Sequence, residues 1–99
     1  MTPTLTDDEV ALGLDGLPGW AGDTEAIAAS YRFADFRTAI AFIVRLAFEA
    51  ERLNHHPELT NVYATVGLRL TTHDAGGVTQ YDLDLASAVA TIAAQFGAT

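Results

Sequence analysis

Hydrophobic and polar positions alternate in Ile27, Ala29, Tyr31 and Phe33 against Ala28, Ser30 and Arg32. A period of two marks a strand with one buried face and predicts a strand over residues 25–33. The same period returns in Val62, Ala64, Val66, Leu68 and Leu70 against Tyr63, Thr65, Gly67, Arg69 and Thr71, which predicts one continuous strand through residues 62–71. Between the two, the period becomes helical: Phe36, Ala39, Ile40, Ile43, Ala47 and Ala50 form a stripe. Asp35 is placed to cap this helix. Pro57 ends it near Leu53, because proline lacks an amide donor and pushes His56 out of the helical region. Phe42, Val44, Leu46 and Phe48 fall off the stripe, so the helix is either buried on two sides or meets a partner subunit.

The remaining elements are read from their ends. Thr6-Asp-Asp-Glu9 has the form of a capping box and predicts a short helix from Asp7 to Leu14. Gly16 to Gly22 is broken by glycine and proline, so it forms a turn or a short extended piece carrying Trp20. The turn Asp74 to Gly77 leads into Thr79-Gln-Tyr-Asp82, a second capping-type sequence. Leu85, Ala86, Val89, Ile92, Ala93 and Phe96 then mark a closing amphipathic helix. The first strands are short and close enough to form a hairpin. The predicted fold class is α+β: a single-layer antiparallel sheet of about four strands with three helices packed on one face, in a single domain spanning residues 1–99.

Composition narrows the function. With 99 residues, 49% of them apolar, there is material for one packed core and no room for a second. The absence of cysteine removes disulfides, thiolate metal sites and thiol nucleophiles. Thirteen acidic residues against five arginines give a charge of −8, which repels phosphate backbones and anionic lipid, so neither direct nucleic-acid binding nor a membrane partner is expected. The longest apolar run, Ala39 to Val44, stops at Arg45, far short of the ~20 residues that span a bilayer. The start carries no basic flank with a hydrophobic run, and the expected location is cytoplasmic.

The candidate chemistry lies in Glu51, His55, His56 and His73, which include all three histidines of the chain. Glu51 and His55 are four residues apart and share a face if the helix persists, while His56 points elsewhere as the chain leaves it. A strand running back alongside the helix would return His73 towards the His55-His56 corner. Imidazoles titrate near neutral pH, and a carboxylate beside them completes a set suited to general acid-base work on a small substrate. The same residues could form a zinc site with open positions. Against that, adjacent histidines point in divergent directions, and the common helical zinc motif would need a second histidine in place of Glu51. Asp82 reads first as a helix cap, with a place on the rim of the site as the alternative. Trp20 reads as a cover over the core, and Asn61 and Tyr63 either orient the His55-His56 loop or are ordinary strand residues.

Glu51-Arg-Leu-Asn-His55-His56-Pro57, Asn61-Val-Tyr63, Leu70-Thr-Thr-His73, Gly76-Gly77, Asp82 and Leu85-Ala86 together resemble the signature of the pterin-4a-carbinolamine dehydratases. The resemblance also takes in Leu17-Pro-Gly-Trp20 and Phe33-Ala-Asp-Phe36, and so runs from about residue 17 to 96. Tyr81 stands where many relatives carry a charged residue, and Leu59 replaces an aromatic of animal relatives. What the resemblance implies is dehydration of 4a-hydroxytetrahydropterin to quinonoid dihydropterin, the recycling step after aromatic amino-acid hydroxylases. It implies His55 and His73 as acids on the two faces of the pterin and Glu51 as base. His56, Pro57, Trp20 and Asp82 would be binding residues. No cofactor and no metal are required, and dimers or tetramers are expected. Relatives with partner roles imply the alternative, a non-catalytic coactivator or assembly factor on the same scaffold.

Overall fold

The computed structural model describes residues 2–99; residue 1 of the expected 1–99 domain lies outside them. Helix α1 (Asp7–Asp15) is followed by β1 (Ala21–Gly22), β2 (Ile27–Arg32) and the long helix α2 (Phe36–Leu53). Strands β3 (Glu58–Val62) and β4 (Thr65–Leu70), a 3₁₀ turn at His73–Ala75 and helix α3 (Gln80–Gln95) complete the chain. The sheet is antiparallel throughout, in the order β1-β2-β4-β3. Its helix side carries Ile27, Val66, Leu68 and Leu70, all buried, and its other side leaves Ala28, Ser30 and Arg69 exposed. The fold is therefore the expected α+β sheet with helices on one face.

The single strand expected over residues 62–71 is instead a hairpin. The chain reverses at Tyr63-Ala64, where Tyr63 takes a left-handed φ of 52°, and Val62 pairs with Thr65. Across a two-residue turn, paired residues share a face, so Val62 sits on the side opposite Val66 although the apolar alternation runs through both. Asn61 pins the reversal: its side-chain amide donates to the carbonyls of Tyr63 and Thr65, both at 3.1 Å. Asn61 and Tyr63 thus build a turn and do not touch the His55-His56 loop. Strand β3 has no alternating pattern because it is an edge with every residue exposed.

Helix α2 is apolar on more than one side, and its buried face is rotated from the expected stripe, of which Ala39, Ala50 and in part Ile43 meet the core. Ala39, Phe42, Leu46 and Ala50 face the core, while Phe36, Ile40 and Ala47 are exposed. Phe42 decides the orientation. Its ring lies 4.7 Å from that of Phe33, 6.0 Å from Tyr31 and 6.4 Å from Phe96, and its full burial is worth about 1.5–3 kcal/mol. From α3, Leu85, Ala86, Val89 and Ile92 close the core, and Val10 of α1 is buried with them. Each helix has its expected cap: Thr6 and Glu9 form a reciprocal box on α1, the Asp35 carboxylate accepts from the Thr38 amide at 2.8 Å on α2, and Thr79 with Asp82 boxes α3.

Candidate active site

Helix α2 ends in a Schellman-type reversal. Asn54 adopts a left-handed conformation (φ 51°), its amide donates to the Glu51 carbonyl at 3.1 Å, and the His55 amide donates to the Ala50 carbonyl at 3.0 Å. The reversal swings the two histidines apart, and their partners differ from the expected pairing. Glu51 does not meet His55 one helical turn on; its Oε2 lies 2.5 Å from His56 Nε2, with both side chains largely exposed. His55 turns instead towards the first turn of α3, where its Nε2 lies 2.5 Å from Asp82 Oδ1.

Asp82 is fully buried, yet its carboxylate is well supplied with donors. Oδ2 accepts from the Thr79 amide and from the Thr72 hydroxyl, each at 2.8 Å, while Oδ1 faces His55. Of the two readings of Asp82 the cap is the one observed: the carboxylate caps α3 and, buried behind the cleft and not on its rim, anchors His55. An ionised carboxylate can only accept, so the proton of that contact sits on His55 Nε2, and Nδ1 is left for a ligand. The Tyr81 ring stacks against the His55 ring at 5.8 Å and 29°, covering an imidazole whose side chain is only 12% exposed.

His73 arrives from the opposite side. Antiparallel pairing brings β4 back along the sheet, and beyond it Thr72 pairs with Gly77 around the turn that carries His73. Gly76 closes the turn at φ 82°, a conformation that disfavours a side chain. A Cβ on Gly77 would meet the Thr24 carbonyl oxygen at 2.6 Å. The result is an open cleft of about 230 Å³ lined by Asn54, His55 and His56 on one wall and by Thr71 to Asp74 on the other. Beside it, sharing His56, lies an apolar groove of about 360 Å³ in which Glu51 and Pro57 meet Leu46, Ala50 and Leu59.

Three of the expected site residues, His55, His56 and His73, thus line one cleft. Asp82 stands directly behind it, and Glu51 and Pro57 stand at its flank. Trp20 is not among the lining residues. It is buried in the core, where its indole N–H donates to the Tyr31 hydroxyl at 2.8 Å. Burial pushes the Tyr31 phenol above its ordinary pKa, although the indole hydrogen bond pulls the other way. Sequence reasoning passed over Thr72 and the ring contact of Tyr81. Their only signals were the position of Thr72 beside His73 and that of Tyr81 inside the second capping sequence.

The chain matches the family model for pterin 4 alpha carbinolamine dehydratase over residues 3–92. It belongs to that family. It is 53% identical over 97 residues to the "Putative pterin-4-alpha-carbinolamine dehydratase" of Rhodopseudomonas palustris strain BisB18, covering 96% of each chain. Among solved structures it is similar to a "transcriptional coactivator/pterin dehydratase" from Brucella melitensis, with a TM-score of 0.86 and 42% identity over 90% of this chain and 97% of that one. A pterin dehydratase-like protein described as a RuBisCO assembly factor in the alpha-carboxysome shares the fold, with a TM-score of 0.62 at 20% identity over 75% and 86% of the two chains. Among the described residues, no helix is long and apolar enough to cross a membrane.

Proposed function

We propose that this chain, acting as one dehydratase domain in the cytoplasm, converts 4a-hydroxytetrahydropterin to quinonoid dihydropterin and water. The observation that supports this reading is the meeting of His55, His56 and His73 in one cleft with the carboxylates of Glu51 and Asp82 at its border. The reaction breaks the C4a–O bond. The leaving oxygen takes a proton and departs as water, the N5 lone pair forms the C4a=N5 bond, and N5 loses its own proton to a base. His55, through Nδ1 of its imidazolium form, or His73 supplies that one proton, according to which face of the ring carries the hydroxyl, and the Asp82 charge balances the imidazolium form of His55. Glu51 takes the N5 proton, while His56 and Pro57 hold the ring. The cleft is smaller than the about 300–1,000 Å³ of pockets for drug-sized ligands, which suits a flat bicyclic ring more than a bulky substrate.

The Glu51 assignment separates a base from a residue that only positions His56. As the base, Glu51→Gln binds a dihydropterin almost normally but turns over slowly, because the amide cannot take a proton. If Glu51 only orients His56, the amide oxygen of Gln still accepts from that ring, and most of the activity survives. Comparing kcat and dihydropterin affinity for Glu51→Gln and Glu51→Ala distinguishes the two. Near-wild-type turnover by the Gln variant removes the base role from Glu51, whereas only a wild type without enzyme-dependent turnover favours the rival reading, a coactivator or assembly factor on the same scaffold.

The family resemblance and the uncovered stripe of α2 together support a homo-oligomer. Phe36, Val44 and Phe48 are 54%, 54% and 70% exposed, and with Ile40 they follow one another at every fourth residue. Such a seam on so small a protein is ordinarily covered. Light scattering at micromolar concentration is expected to give a dimer or tetramer, and Val44→Glu with Phe48→Glu to shift it towards the monomer. A 10.5 kDa particle for the wild type contradicts this assembly.

A further inference from the structure

We infer that Thr72 is a positioning residue that holds His55 and His73 in register across the cleft, a role that rests on the dehydratase reading. Its main chain builds the turn that presents His73: the Thr72 carbonyl accepts from the amides of Ala75 and Gly76 at 3.1 and 3.0 Å, and its amide donates to Gly77 at 3.1 Å. Its side chain reaches the other wall. The hydroxyl lies 2.8 Å from Asp82 Oδ2 and 2.7 Å from the Thr79 hydroxyl, and Asp82 in turn holds His55.

The direction of these bonds follows from counting protons. The Asp82 carboxylate only accepts, so Thr72 spends its single hydroxyl proton there. Thr72 can then only accept from Thr79, whose oxygen is itself the acceptor for the Tyr81 amide at 3.2 Å. A chain therefore runs from Thr79 through Thr72 to Asp82, which receives His55 Nε2–H from the other side. Such chains reinforce one another where water is scarce. Without the Thr72 hydroxyl, Asp82 Oδ2 keeps one donor of two, and the carboxylate is free to rotate, taking His55 with it. No substrate contact is needed for this effect, so it falls on turnover more than on binding.

The test compares Thr72→Val, which removes the hydroxyl at nearly constant shape, with Thr72→Ser, which keeps it. Nitrogen-15 spectra of the imidazoles should show the His55 Nε2 proton held in its bond to Asp82 in the wild type and the Ser variant. In the Val variant the His55 signals should broaden or mix. Its kcat for dehydration should fall about 10-fold, the scale of one hydrogen bond to a charged group, with dihydropterin affinity little changed. A Val variant with the wild-type His55 spectrum and kcat overturns the proposal. Should that variant fail to fold, the wild type decides: the Thr72 hydroxyl proton should exchange slowly enough to be seen, and its absence overturns the proposal too. Loss of the His55 signature in a protein without dehydratase activity upholds the positioning of His55 and sinks only the dehydratase reading.

Discussion

His73→Ala is expected to lower the rate of carbinolamine dehydration by about 10²- to 10⁴-fold, the usual contribution of one positioned general acid, and adding His55→Ala should lower it further. The two imidazoles reach the cleft from different walls, His55 from the end of α2 and His73 from the turn after β4. On the proposed dehydratase reading each serves one face of a flat ring, so neither readily replaces the other. The same variants should leave the thermal transition nearly unchanged for His73, which is exposed. Activity should survive EDTA, because His55 and His56 are each engaged by a separate carboxylate and diverge. A double variant as fast as wild type, or activity abolished by EDTA and restored by zinc, contradicts this account.

Asp82→Ala is expected to lower stability by about 3–5 kcal/mol. Asp82 is completely buried and accepts from the Thr79 amide, the Thr72 hydroxyl and His55. Deleting the carboxylate strands three donors in the interior, each facing its desolvation cost, and opens the first turn of α3. Asp82→Asn keeps one acceptor oxygen and should lose less. Urea denaturation followed by circular dichroism measures both variants. An alanine variant within about 1 kcal/mol of the wild type, the range of ordinary substitutions, would show that His55 and Thr72 find other partners. The contrast with Glu9 is informative, because the same box geometry on α1 is exposed and water can replace the lost carboxylate.

Local signals in this chain were legible and relational ones were not. The two capping boxes and the Asp35 cap depend on residues three apart, and all appear where the sequence places them. The end of α2 at Leu53 followed from Pro57, but the left-handed exit at Asn54 did not, and that exit hands Glu51 to His56 and His55 to Asp82. Two apolar stripes on one helix gave no local reason to prefer Phe42 and Leu46 over Phe36 and Ile40; packing against Phe33 and α3 makes the choice. The turn at Tyr63-Ala64 hid inside an unbroken alternation because no glycine or proline marks it. The cluster of three histidines was readable as a pattern, yet its geometry depends on Thr72 and Asp82, two residues with ordinary structural roles.

Purified protein should accelerate the disappearance of freshly generated 4a-hydroxytetrahydropterin well above the uncatalysed reaction, in proportion to enzyme concentration. That assay bears most directly on the proposed dehydratase function. A clear enzyme-dependent rate, lost in the His55→Ala/His73→Ala variant, is the predicted result. A folded protein that leaves the carbinolamine to decay at its spontaneous rate would contradict the account.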